Sequence, residues 1–168
     1  MIRSAEARDG EALAELYNHY VINTVTTFET IPVVASEMAN RVAQVQALGL
    51  PWIVMEEAGR LLGYACAVKW KQREAYRHSV ESTIYLDADC PGQGYGSVLY
   101  GALLDQLDAL GAHAILGGIA LPNEPSVALH EKMGFVKVAH LSEVGRKFDR
   151  WIDVGYWQRL AVDRQLAE

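Results

Sequence analysis

Glu81-Ser82-Thr83-Ile84-Tyr85-Leu86-Asp87-Ala88-Asp89-Cys90-Pro91-Gly92-Gln93-Gly94-Tyr95-Gly96-Ser97-Val98-Leu99-Tyr100 reads as a strand, a glycine-rich turn and the start of a helix. Residues 82–86 are β-branched, aromatic and apolar, which suits a pleated strand. Residues 87–91 break it. Gly92, Gly94 and Gly96 then alternate. Beyond them Leu99, Leu103, Leu107 and Leu110 form one apolar helical stripe, and Gly111 is a natural stop. A glycine turn that opens a helix leaves unpaired N–H groups at the positive end of a dipole, where an anion can sit. Glycine also lets a phosphate approach the backbone. A lone glycine triplet is more often an ordinary tight turn. Two nucleotide-binding patterns fit poorly: no Gly-Lys-Ser/Thr follows, and the spacing is G-x-G-x-G rather than G-x-G-x-x-G.

The rest of the chain supplies the context. Its 168 residues suffice for one domain, 1–168, with a real core. Half the residues are apolar and about a fifth charged, as in soluble globular chains. A net charge of −6 argues against nucleic acid or an anionic membrane as the main partner. No apolar run reaches the length of a membrane span and no signal peptide precedes Ile2, so a cytoplasmic location is expected. Cys66 and Cys90 form no metal-like cluster and read as free thiols; no metal is expected.

Taken in order, residues 2–5 form a short strand. A helix starts at Arg8-Asp9 with Leu13, Leu16, Tyr17 and Tyr20 on its apolar face. Residues 23–30 are too β-branched and polar to continue it, and read as a loop carrying Phe28. Ser36 caps a second helix with Met38, Val42, Val45 and Leu48 inward, ended by Gly49. Residues 52–56 and 61–70 form a hairpin turned at Ala58-Gly59. Residues 71–80 are a charged connection. After the opening unit, residues 114–121 form a buried strand whose Gly117-Gly118 suggests a bulge or a close approach. Pro125 starts a short helix that stops at Gly134. Residues 135–141 and 151–160 are two last strands joined by a loop, 145–150. The order β-α-α-β-β-β-α-β-α-β-β predicts an α/β, three-layer fold: a mixed sheet with helices on both faces.

This order resembles the GNAT acyl-CoA-dependent N-acetyltransferases over the whole chain. Gly94-Tyr95-Gly96 resembles that family's pyrophosphate loop. Asn123 and Leu129-His130-Glu131-Lys132-Met133-Gly134-Phe135 resemble its second signature. Asn18-His19-Tyr20, Trp70-Lys71, Arg73, Ala75-Tyr76, Glu81-Ser82-Thr83, Leu121-Pro122-Asn123, Pro125-Ser126-Val127 and residues 151–158 are similar to the phosphinothricin and methionine sulfoximine (sulfone) N-acetyltransferase branch.

The resemblance implies acetyl-CoA as co-substrate. Its pantetheine would pair with Ile84, Tyr85 and Leu86. Its pyrophosphate would rest on the backbone of Gly92, Gln93, Gly94, Tyr95, Gly96 and Ser97. Pro91 stands where many relatives have Arg or Gln, and with no N–H it offers one donor fewer. Asn123 would bond the pantetheine arm, besides capping its helix, and Lys132 would reach the phosphates. Direct acyl transfer needs a neutral amine, and Glu81 is the expected base, on one strand face with Thr83 and Tyr85. An isolated Glu is more often structural. His130 stands where many relatives carry a tyrosine proposed to protonate the departing sulfur; imidazole serves as acid or base. A lone helix His more often only satisfies a backbone partner. A backbone N–H near Leu86 would polarise the thioester. Arg73 and Tyr76 match residues around a small glutamate-like amino acid, with Arg73 suited to a carboxylate or phosphinate, and Phe28 would supply an apolar wall from the loop between the first two helices. Thr27 departs from the Asn of phosphinothricin enzymes. The resemblance also implies a homodimer. Two other readings stand beside this one: an acetyltransferase for another amine or a protein N-terminus, and a non-catalytic acyl-CoA sensor.

Overall fold

The computed structural model of the chain describes residues 1–90 and 93–161. Its elements are β1 (Ile2–Ser4), α1 (Gly10–Asn23), α2 (Ala35–Ala47), β2 (Trp52–Glu57), β3 (Arg60–Lys69), β4 (Ser79–Leu86), α3 (Tyr95–Ala109), β5 (Ala114–Ala120), α4 (Glu124–Lys132), β6 (Val136–Lys147) and β7 (Arg150–Leu160). The order is the expected one, with short 3-10 turns added at Ala7–Asp9 and Glu74–Tyr76. The seven strands form one sheet in the order β1-β2-β3-β4-β5-β7-β6. Among the described residues only β4 and β5 pair in parallel, so the sheet is mixed.

Two cores flank the sheet. On one face α1 and α2 bury Leu13, Tyr17, Val21, Met38, Val42 and Val45 against Trp52, Val54 and Tyr64. On the other, α3 buries Leu99, Tyr100, Leu103 and Leu107 against Ile53, Ala65, Ile115 and Trp157. Odd and even residues of the strands thus serve different cores, as the pleat requires.

Several expectations are corrected. Leu48 and Leu110 are exposed, because each sits at its helix's C-cap, where the helical period no longer points inward. Ser36 does not cap α2; Val34 holds that position and no side chain bonds there. β4 begins at Ser79, three residues earlier than its β-branched run. The 145–150 loop does not exist as such. β6 runs to Lys147 and turns into β7 through Phe148 and Asp149, both with positive φ (50° and 57°). A register shift between Leu141 and Gly145, with Glu143 at φ 52°, carries the strand past its polar stretch.

Candidate active site

β4 and β5 pair through only three rungs, Ser79↔Ala114, Val80↔Ile115 and Glu81↔Leu116. Beyond Glu81 the strands part. β4 stays with β3 up to Leu86↔Gly63, while β5 follows β7 up to Ala120↔Val154. The fork opens a cleft of about 360 Å³. Residues 82–86 form one wall, Gly118, Ile119 and Ala120 the other, and Tyr20, Thr26, Asn123 and His130 close its ends. A strand parted from its neighbour presents unpaired backbone groups, the edge that an extended ligand completes.

Tyr20, which the sequence reading placed on a helix face and in the Asn18-His19-Tyr20 motif without a role, is a site residue. Its hydroxyl donates to the Leu86 carbonyl at 2.6 Å, so that carbonyl is already engaged. Nothing in the local sequence marks this bond, which spans 66 residues. The Tyr85 ring packs against Tyr17, Tyr20 and Tyr64 at 5.0–5.5 Å between centroids. Tyr85 therefore offers the cleft its backbone. Ser82 is buried and tied to the Tyr100 hydroxyl (2.7 Å) and the Leu116 carbonyl (3.1 Å).

Glu81 stands on the last paired rung, beside the cleft rather than in its lining. Burial pushes its carboxyl above the ordinary range, and Lys71 partly opposes the shift. A Cβ on Gly118 would lie 3.1 Å from Glu81 Oε1 and 3.2 Å from the Tyr156 ring. A Cβ on Gly117 would lie 2.5 Å from His130 Nε2. Neighbouring residues of a strand face opposite ways, so Glu81 and His130 meet the same point of β5 from its two faces. The glycine pair marks the close approach that its position in the strand implied.

His130 is buried against Tyr100 and Phe135. Its Nδ1 lies 2.8 Å from the Ser126 carbonyl oxygen. That oxygen can only accept, so Nδ1 carries the hydrogen and Nε2 is the acceptor of the neutral ring. Burial holds the imidazole's pKa below its usual value against the Ser126 bond, which raises it.

Asn123 caps α4, its Oδ1 accepting from Ser126 N at 3.2 Å. Gln93 and Gly94 are exposed at the head of α3, with Gly94 at φ 79°. Gly92 and Pro91 lie outside the described residues. Ser97 spends its N–H on the Gly94 carbonyl (3.1 Å), and its hydroxyl accepts from Lys132 Nζ (2.9 Å). Gly96 serves packing: a Cβ there would lie 3.3 Å from both Leu129 and Leu86. Tyr95 donates its hydroxyl to Glu57 (3.3 Å). Arg73 and Tyr76 are exposed beside the 74–76 turn and do not line the cleft. Phe28 is partly exposed and rests on Gly145. The protein chain thus gathers His130, Asn123 and the 84–86 edge in one cleft with Glu81 at its foot, and leaves Arg73 and Tyr76 on the surface.

A protein-family model described as an acetyltransferase (GNAT) domain matches residues 2–155. The chain belongs to the GNAT acetyltransferases. Among relatives of this GNAT chain is the phosphinothricin N-acetyltransferase of Streptomyces viridochromogenes, 39% identical over 94% of this chain and 86% of its own length. The L-amino acid N-acyltransferase MnaT of Escherichia coli is 38% identical over 94% and 91%. The L-methionine sulfoximine/L-methionine sulfone acetyltransferase of Salmonella typhimurium is 35% identical over 99% and 96%. Among solved structures, Salmonella typhimurium yncA with its cofactor acetyl-CoA superposes with a TM-score of 0.94, at 32% identity over 100% and 97% of the two chains. A Sinorhizobium meliloti phosphinothricin acetyltransferase in complex with AcCoA gives 0.91, at 35% identity over 95% and 87%.

Proposed function

We propose that this acetyltransferase moves acetyl from acetyl-CoA onto the α-amino group of a small glutamate-like amino acid of the phosphinothricin, methionine sulfoximine or methionine sulfone type. The observation that carries the reading is the fork beyond Glu81: an open strand edge with a desolvated carboxylate at its foot. The names of the relatives supply the substrate class.

The residues present suit acetyl-CoA. The parted edge of residues 84–86 offers backbone groups to the amides of the pantetheine arm. With the oxygen of Asn123 engaged in its cap, contact with that arm falls to its NH2 group. The head of α3 and Lys132 offer backbone and ammonium donors to the phosphates. Acetyl-CoA supplies an activated acyl group as a thioester. An α-amine is mostly ammonium at neutral pH, and Glu81, whose raised pKa brings it nearer that of the amine, takes the excess proton directly or through water. His130 presents an acceptor, Nε2, at the cleft; as a neutral ring it receives a proton more readily than it gives one. Phe28, Arg73 and Tyr76 shape the acceptor side. The enzyme works as one domain, 1–168, in the cytoplasm and as a homodimer, with neither nucleic acid nor a membrane as partner.

A second reading has its own support. Arg73 and Tyr76 lie at the surface outside the lining of the cleft, which favours a wider range of acceptor amines. A thiol-release assay with acetyl-CoA over a panel of amino acids and peptides separates the two. The proposal expects turnover with phosphinothricin, methionine sulfone or methionine sulfoximine, and a drop of about a hundredfold or more in Glu81→Gln, the scale of general-base catalysis. His130→Ala should also lose activity. Failure of all three acceptors while another amine works selects the second reading. Binding of acetyl-CoA with no thiol release across the panel would mark a sensor.

A further inference from the structure

Residues 24–34 join α1 to α2 without a helix or strand of their own, yet they are tethered from three directions. From α1, Asn18 exchanges two hydrogen bonds with the Val33 backbone (2.8 and 2.7 Å), and the Tyr17 hydroxyl lies 2.6 Å from Thr27 Oγ1. From α2, Arg41 forks onto the Glu29 carboxylate (2.6 and 3.3 Å). The third tether comes from the far end of the chain. Lys147 on β6 buries its ammonium and donates to the Thr27 carbonyl at 2.8 Å. Two residues earlier on the same strand face, Gly145 receives the ring of Phe28; any Cβ there would overlap it. β6 therefore holds neighbouring residues of the loop at two points, one by charge and one by shape. Besides that carbonyl the ammonium has the Phe148 ring 5.1 Å away and the Glu29 charge acting on it, yet burying it still costs more than an apolar residue filling the same space. The same loop delivers Thr26 to the cleft.

We propose that Lys147 and Gly145 are positioning residues for the acceptor side: the outermost strand holds the 24–34 loop in the conformation that binds the amine. The inference rests on the reading of Phe28 as an acceptor wall. Freed of Lys147, the loop spends part of its time out of place, and apparent acceptor affinity falls in proportion to the competent fraction. Chemistry in the complexes that do form is unchanged, and so is the cofactor edge on β4.

The test compares the full-length enzyme with Lys147→Met, which keeps the stem and removes the charge, and Gly145→Ala, which keeps the charge and fills the seat. Hydrogen exchange of the 24–33 amides reads the tether without any acceptor. Both variants should exchange there at least about tenfold faster, the scale set by losing one charge-assisted hydrogen bond. The KM for the acceptor should rise about tenfold, with kcat and the KM for acetyl-CoA within about twofold of wild type. Wild-type loop exchange or a wild-type acceptor KM in folded Lys147→Met overturns the proposal. If that variant does not fold, Gly145→Ala decides by the same two readings. If the glutamate-like acceptors all fail, the substrate reading falls, while exchange still judges the tether and the KM comparison is made with whichever amine the wild type acetylates.

Discussion

Glu81 is one carboxylate whose environment sets both its chemistry and its effect on stability. Burial raises its pKa, so the folded protein binds its proton more tightly than the unfolded chain does. Stability from this group is therefore full at low pH and declines as pH rises through the folded pKa. Once ionised, the group is a net cost to the fold. Glu81→Gln should keep or raise Tm at pH 7 while losing activity, a separation that calorimetry and rate measurements together would show. The pH profile gives a second signature. In the wild type, kcat at saturating acceptor should rise with pH as Glu81 ionises and then level. In Glu81→Gln the rising limb should move up towards the free α-amine value, about 8, because only amine that is already neutral can react. A limb that stays where it is in the variant would remove Glu81 from the base role. His130 differs in kind: its tautomer is fixed by a backbone carbonyl that the sequence places four residues away on the same helix.

At the scale of elements, the N-cap of α3, Gly94, and a glycine inside it, Gly101, have opposite energetics. Gly94 sits at φ 79° just before the first turn, and a Cβ there would meet nothing within 4 Å. Gly94→Ala should destabilise by about 1–2 kcal/mol through backbone strain alone. Gly101 lies inside the helix, also with open space and no positive φ. Gly101→Ala should stabilise by about 0.5–1 kcal/mol. Urea midpoints of the two variants should therefore move in opposite directions; a shared direction would mean that φ does not control the difference. Glycine also explains where the strand reading failed. Gly145 looked like loop punctuation, but inside β6 it is the seat of a ring from 117 residues earlier in the chain. The hairpin that follows turns on Phe148 and Asp149, neither a glycine, so its turn carried no signal that short-range rules would catch. Elsewhere local chemistry sufficed: Ala58-Gly59 at positive φ, the Gly111 and Gly134 stops and the Asn123 cap all stand where residue type put them.

For the whole molecule, the exposed side chains of the outermost strand bear on assembly. β6 ends the sheet and exposes Val136, Val138 and Val144, and the adjoining hairpin exposes Phe148 and Trp151. An edge strand with exposed apolar side chains is a hazard in a monomer and is normally covered. The proposed homodimer would cover it. Sedimentation equilibrium should give a dimer for the wild type and a monomer for Phe148→Asp combined with Trp151→Asp. A monomeric wild type would place the covering partner elsewhere. The same edge carries the Lys147 and Gly145 socket, so the proposed dimer and the proposed acceptor tether would share one strand.

The sequence by itself determined the element order, the two-sided α/β sheet and the family, because these rest on periodicity, turn chemistry and motifs that act over a few residues. It also marked the site's strand and the residues now found around the cleft: Ile84, Leu86, Asn123 and His130. Only the tertiary structure decided the rest. The fork beyond Glu81 depends on β4 and β5 each following a different neighbour. The Tyr20 to Leu86 bond, the Lys147 tether and the meeting of Glu81 and His130 across β5 join positions far apart in the chain. The opening stretch shows the division most plainly. Its strand, turn and helix are local. That its strand is unpaired on the β5 side beyond Glu81, and that Gly96 is there for Leu129 and Leu86 while Gly94 needs its unusual backbone, follow from packing that no short window contains.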